Sequence, residues 1–226
     1  MAIANESAAA PLRVLLTRML FGCMVSLAGV TGLLTLGGAL QTGATLLAFD
    51  AALMASLRTG VAPVVLQVAA VLTHLADSAT LTVLCLGVAL VLLARQQRTL
   101  ALGWVLALAG NGLLNQTLKQ IYGRARPLNP EGTALASGLS FPSGHSSGAL
   151  VAYGMLSYLA LRLLPPRWHL PLLLAAVGLT LAVGASRVLL RVHFPSDVLA
   201  GFASGTAWLA LCITLVEVCR WRQARR

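Results

Sequence analysis

Residues 99–127 read TLALGWVLALAGNGLLNQTLKQIYGRARP. From Thr99 to Leu118 the run contains no Asp, Glu, Lys or Arg, and it then breaks on Lys119, Arg124 and Arg126 before Pro127. The hydrocarbon core of a bilayer, about 30 Å thick, takes about 20 apolar residues of helix. The stretch therefore predicts a transmembrane helix that ends in a cationic connection.

Five further stretches have the same character: Met19 to Leu40, Ser78 to Ala94, Ser146 to Leu161, Leu170 to Ser186 and Val198 to Val216. The 226-residue chain is 58% hydrophobic and 10% charged, whereas soluble domains carry roughly 25% charged residues. The expected fold is all-α: a polytopic membrane protein with six transmembrane helices, residues 1–226 forming a single integral-membrane domain. Arg13 and Arg18 precede the first apolar stretch as they would in a secretory leader. That stretch outruns the roughly 7 to 15 apolar residues of a leader, so it is read as a retained span. Gln41 to Ala76, punctuated by Asp50 and Arg58, is expected to lie along the interface as short amphipathic helices.

Basic residues set the orientation. Arg13, Arg18, Arg95, Arg98, Arg162, Arg167, Arg220, Arg222, Arg225 and Arg226 fall in alternate connections, which the positive-inside rule assigns to the cytoplasm together with both termini. Arg58, Lys119, Arg124, Arg126, Arg187 and Arg191 fall on the other side. This surplus points to a local anion-binding purpose. The net charge of +10 is scattered between apolar runs, without the continuous basic stripe of a nucleic-acid surface. Cys23, Cys85, Cys212 and Cys219 lie inside apolar runs and make no disulfide or zinc spacing.

Three outer connections carry the chemistry: Lys119 to Pro127, Phe141-Pro142-Ser143-Gly144-His145, and Ser186-Arg187 followed by His193 and Asp197. Taken singly, Lys119 and Arg126 read as snorkelling cations, Ser143 as an N-cap, and His193 with Asp197 as a surface pair. Together they converge at one membrane face of a chain with only four His and six acidic residues. Backbone N–H groups at the start of a helix opening on Ser143 and Gly144 suit phosphate oxygens, and Gly144 lets backbone approach the anion. Lys119, Arg126 and Arg187 add charge-assisted contacts. His193, with Asp197 a helical turn away, fits an in-line nucleophile of fixed tautomer. His145 then fits the acid that protonates the leaving oxygen and later activates water.

These segments resemble the signature of the type-2 phosphatidic acid phosphatase family, which is similar to vanadium haloperoxidases and glucose-6-phosphatase. The family pattern is Lys-x6-Arg-Pro, Pro-Ser-Gly-His, then Ser-Arg-x5-His-x3-Asp, and every fixed position is filled here in order. The resemblance implies phosphate binding by Lys119, Arg126, Ser143, Gly144 and Arg187. It implies His193 as nucleophile, Asp197 as its orienter and His145 as acid, working without a metal or other cofactor. Arg124 and Arg191 are expected to extend the basic funnel towards a second phosphate or a headgroup. Tyr122, His74 and Asp77 are read as interfacial, the last two as capping groups, and His169 as structural.

The expected activity is hydrolysis of a lipid phosphate or pyrophosphate at the periplasmic face of a bacterial inner membrane. The only partners implied are the lipid substrate and the surrounding membrane lipids; oligomeric state leaves no trace in the sequence. Undecaprenyl pyrophosphate ranks first, because Arg124 and Arg191 suit its extra charge. Phosphatidic acid and phosphatidylglycerol phosphate come second, and the 1-phosphate of lipid A third. A haloperoxidase is disfavoured by the lipid-spanning composition, a transporter by spans nearly bare of ionisable groups, and an inactive scaffold by the intact motifs.

Overall fold

A computed structural model describes residues 12–58, 60–127 and 138–226, and these residues are helical without strands. In chain order the helices are α1 (Leu12–Thr42), α2 (Ala44–Ser56), α3 (Pro63–Thr73), α4 (Ser78–Ala94), α5 (Arg98–Tyr122), α6 (Gly144–Leu163), α7 (His169–Leu189) and α8 (Pro195–Gln223). Short 3-10 turns at His74–Ala76 and Pro166–Trp168 precede α4 and α7. Each of the six apolar stretches falls on one long helix.

Three segments are long and apolar enough to cross a membrane by themselves: Leu12–Thr42, Pro166–Leu189 and Pro195–Gln223. The pair Pro63–Ala76 and Ser78–Ala94 passes the same test together, bent by 43° at Asp77. α3 is thus apolar enough to count with α4 as one broken span. It also packs on the end of α7, where Ala69 meets Leu190 and Val192. α5 and α6 are less apolar because their inner faces carry Asn111, Asn115, Ser146 and Ser147, all buried.

The core explains the order of burial. Trp104, Leu100, Val151, Met155 and Val216 form one apolar cluster between α4, α5, α6 and α8, with the Trp104 indole donating to the Cys85 carbonyl at 2.9 Å. Large apolar side chains on α1, α4 and α7, among them Phe21, Met24, Val83 and Leu174, point outward, the expected pattern where the solvent is lipid. Small residues let helices approach where the bundle has to be tight. A Cβ on Gly201 of α8 would lie 2.6 Å from the Ser143 carbonyl oxygen, so this glycine sets how closely the start of α6 crosses α8. At the opposite end Glu217 of α8 accepts from Arg18 at 2.9 Å and from Tyr158 at 2.5 Å, and pairs with Arg162. That cluster ties α1, α6 and α8 together. Ser137, expected on the outer side, lies outside the described residues.

Candidate active site

Helix ends build the site. Gly123, left-handed at φ 59°, terminates α5 with its N–H on the Lys119 carbonyl and turns the chain into the Arg124–Arg126 segment. Ser143 caps α6, its hydroxyl accepting from the Ser146 N–H at 3.4 Å, while its own N–H donates to the Asp197 carbonyl at 2.9 Å. The starts of α6 and α8 are thereby pinned to each other. At the end of α7 the Arg187 carbonyl accepts from the N–H groups of Val192 and His193, folding the His193 segment back over Arg187.

The second imidazole of the motifs, His193, is 1% exposed. Its Nδ1 lies 3.4 Å from Asp197 Oδ2 and 3.3 Å from the Ser140 hydroxyl, and that hydroxyl also donates to Asp197 Oδ2. Its Nε2 lies 3.0 Å from Arg126 Nη1. A guanidinium only donates, so Nε2 carries the lone pair and the proton sits on Nδ1, facing the carboxylate. Burial above all, opposed by the bond to Asp197 and reinforced by Arg126, pushes the imidazole down to about 4. The neutral form of the ring is thereby favoured. Asp197 is held besides by the Phe194 N–H at 2.8 Å and by Arg124 Nη1 at 2.6 Å.

Lys119, Arg126, Gly144, His145 and His193 line one cavity of about 500 Å³. Arg187 stands behind it, its Nη1 donating to Thr73 Oγ1 at 2.5 Å, and its Nε is buried without a hydrogen-bond partner. A buried donor left open beside a cationic cavity is what an arriving phosphate oxygen would satisfy. From this polar mouth the cavity runs between α4, α5 and α6 along Leu81, Leu86, Leu108 and Val151. Leu86 lies eight residues into α4, about 12 Å at 1.5 Å per residue.

One expectation is corrected. Arg124 does not extend a phosphate funnel: Nη1 bonds Asp197 and Ser196, Nη2 bonds Asp50 at 2.7 Å, and its guanidinium carbon stacks 4.1 Å over the Phe194 ring. Arg191, like Arg187 and Ser143, is not among the residues lining the cavity. It occupies the left-handed corner between α7 and α8, at φ 56°. Three residues outside the motifs also belong to the site. Asp50, buried, accepts from Arg124 and from the Ser196 N–H. Ser140 bridges His193 and Asp197. Asp77 accepts from or pairs with His145 Nε2 at 2.8 Å and His74 Nδ1 at 2.5 Å, and makes no capping bond to α4. The apolar break at Asp77 was the one sequence signal available for it; Asp50 and Ser140 had none.

A buried imidazole, its carboxylate, converging cations and an apolar slot meet at one end of the helical bundle of a membrane protein, an arrangement suited to an anion. The model of the PAP2 superfamily matches residues 98–221, more than half of the chain, and the chain belongs to that family. It is 40% identical over 95 residues to phosphatidylglycerophosphatase B of Bacillus subtilis, covering 41% of this chain and 46% of that protein. It is 38% identical over 117 residues to lipid A 1-phosphatase of Rhizobium johnstonii, covering 47% of this chain and 43% of that one. The match thus spans less than half the length of these curated relatives. The crystal structure of a transmembrane PAP2-type phosphatidylglycerolphosphate phosphatase from Bacillus subtilis superposes with a TM-score of 0.79 at 30% identity, over 85% of this chain and 96% of that one.

Proposed function

We propose that this chain is a single-domain lipid phosphatase that removes phosphate from a membrane lipid through a phosphohistidine intermediate. The observation that carries the reading is the cavity itself, in which His193, His145 and Lys119 share one space with an apolar slot between α4, α5 and α6. A phosphate anchored on Lys119, Arg126, Arg187 and the Ser143–Gly144 helix start takes over the Arg126 guanidinium and leaves the His193 Nε2 lone pair facing phosphorus. The N–P bond forms as the P–O bond to the lipid breaks, and a proton from His145 makes the departing oxygen an alcohol. Water then gives a proton to His145 and attacks phosphorus, the N–P bond breaks, and inorganic phosphate leaves. The three cations neutralise the equatorial oxygens, so the reaction needs no divalent ion.

The substrate reading changes with the structure. Preference for a pyrophosphate rested on Arg124 and Arg191; Arg124 is held by Asp50 and Asp197, and Arg191 does not line the cavity. A glycerolipid monophosphate now ranks first, in keeping with the named Bacillus relative; the 1-phosphate of lipid A follows, and undecaprenyl pyrophosphate comes last. In this reading all six long helices span the inner membrane, the termini are cytoplasmic and the site faces the periplasm. The test is phosphate release by detergent-purified protein from phosphatidic acid, phosphatidylglycerol phosphate, lipid A and undecaprenyl pyrophosphate, with and without EDTA. Release that survives chelation and is blocked by vanadate is expected. No release from any of the four, or activity lost to EDTA and restored by Mg²⁺, would overturn the assignment.

A further inference from the structure

Asp77 occupies the N-cap position of α4, where an Asp ordinarily accepts from the helix's own N–H groups, yet its side chain makes no such bond. Oδ1 lies 2.8 Å from His145 Nε2 and Oδ2 lies 2.5 Å from His74 Nδ1. The backbone that presents it is fixed from α6: Tyr153 donates to the Leu75 carbonyl at 2.8 Å, and Ala76 packs on Ala149 and Val183. Burial raises the affinity of Asp77 for a proton, but the bonds from His74 and His145 outweigh it and hold the carboxyl below its ordinary range. Asp77 is therefore an anion at working pH.

His145 needs such a neighbour. It stands at the mouth of α6, one residue ahead of the apolar stretch, facing Arg187 from α7, Arg126 from the connection after α5, and Lys119 from α5, with His193 and Asp197 across the cavity. Burial above all, with the charges of Arg187 and Arg126, holds its affinity for a proton below the ordinary value; Asp77 opposes them without reversing them. Among the described residues Asp77 is the one carboxylate hydrogen-bonded to this ring.

We infer that Asp77 is the positioning residue for the acid–base histidine: its carboxylate holds the His145 Nε2–H, aims Nδ1 at the leaving oxygen, and favours the protonated ring over the neutral one. The inference rests on the phosphatase reading above. In the first half-reaction the Nδ1 proton passes to the lipid oxygen as the P–O bond breaks, and Nε2–H stays on Asp77. In the second, Nδ1 takes a proton from water while hydroxide attacks the phosphohistidine. A carboxylate is thereby assigned to each of the two imidazoles, Asp197 to the nucleophile and Asp77 to the acid.

The test uses the full chain in detergent micelles with phosphatidic acid, comparing wild type, Asp77→Asn, Asp77→Ser, His145→Ala and Asp77→Asn/His145→Ala. Asn and Ser are both good N-caps, so the start of α4 is preserved and the carboxylate alone is lost. The expected result is a fall in kcat of about 10- to 100-fold, no more than the lower end of what general acid–base catalysis contributes, since His145 itself remains, with KM little changed. The alkaline limb of the kcat profile should move to lower pH. The double variant should be no slower than His145→Ala alone, since residues acting as one unit are not additive. Wild-type kcat and pH profile in both Asp77 variants, or a loss that adds in full to that of His145→Ala, would overturn the inference while leaving the phosphatase reading standing. Absence of phosphate release by wild type would remove both.

Discussion

Arg124 stands between two buried carboxylates, 2.6 Å from Asp197 and 2.7 Å from Asp50, so its removal leaves both charges uncompensated. Breaking a buried pair from one side costs about 3–5 kcal/mol. Arg124→Ala is therefore expected to lower the melting temperature strongly and to lose turnover equally on monophosphate and pyrophosphate, and Arg124→Ala/Asp50→Asn should recover part of the stability. A loss confined to pyrophosphate would return Arg124 to the substrate. His193→Ala should lose activity by several orders of magnitude while staying folded, because one member of a coupled catalytic set suffices to disable it. His145→Ala should slow turnover and accumulate a labelled phosphoenzyme; substantial activity without His193 rules out the covalent route. Burial also gives His193 a stability signature. Its folded value of about 4 lies below the ordinary 6.5, so between these the unfolded chain binds the proton that the native state refuses. Stability rises with pH through that window and falls as pH drops through it. Melting curves from pH 7 to 4.5 should show the fall; His193→Gln should reduce it, and the remainder belongs to His145, which burial lowers in the same way.

At the level of elements, the site is a meeting of helix ends, and its precision depends on how two helices cross. Gly201 touches the Ser143 carbonyl so closely that Gly201→Ala has to move the backbone of α6 or α8. A displacement of about 1 Å can cost about 100-fold in rate, so kcat should drop by one to two orders of magnitude with a smaller change in KM; an unchanged kcat would show that the crossing has slack. Helix positions were legible in the sequence because each is an uninterrupted apolar run, and α4 matches its stretch residue for residue. The motif residues were legible because their spacing is local to three connections. The contacts behind them were not. Asp77 meets His145 across 68 positions, and Asp50 meets Ser196 across 146. A lone carboxylate in an apolar context reads as a cap or a solvated charge until the partner helix is in place. The same blindness turned Arg124 into a substrate contact, since a cation between two motif cations looks like one of them until its carboxylates are seen.

For the whole molecule, the arrangement of helix ends predicts sidedness. Single cysteines at Ser137 and at Arg226, probed in intact cells with an impermeant reagent, should label and remain unlabelled respectively, in line with the distribution of Lys and Arg. Labelling of both, or of Arg226 alone, would overturn the six-span reading. The charged cluster around Glu217 and the cavity lined by His145 and His193 occupy opposite ends of the same bundle. The slot beneath His145 is walled by α4 and α5 and reaches Leu86, whose side chain is outward-facing. A ligand taken through such a wall arrives by diffusion in a plane, and bulk molarity is then the wrong variable. Occupancy follows the mole fraction of substrate in the bilayer or micelle, so inert detergent acts as a diluent and a crowded leaflet as a reservoir, with no change in any contact within the site.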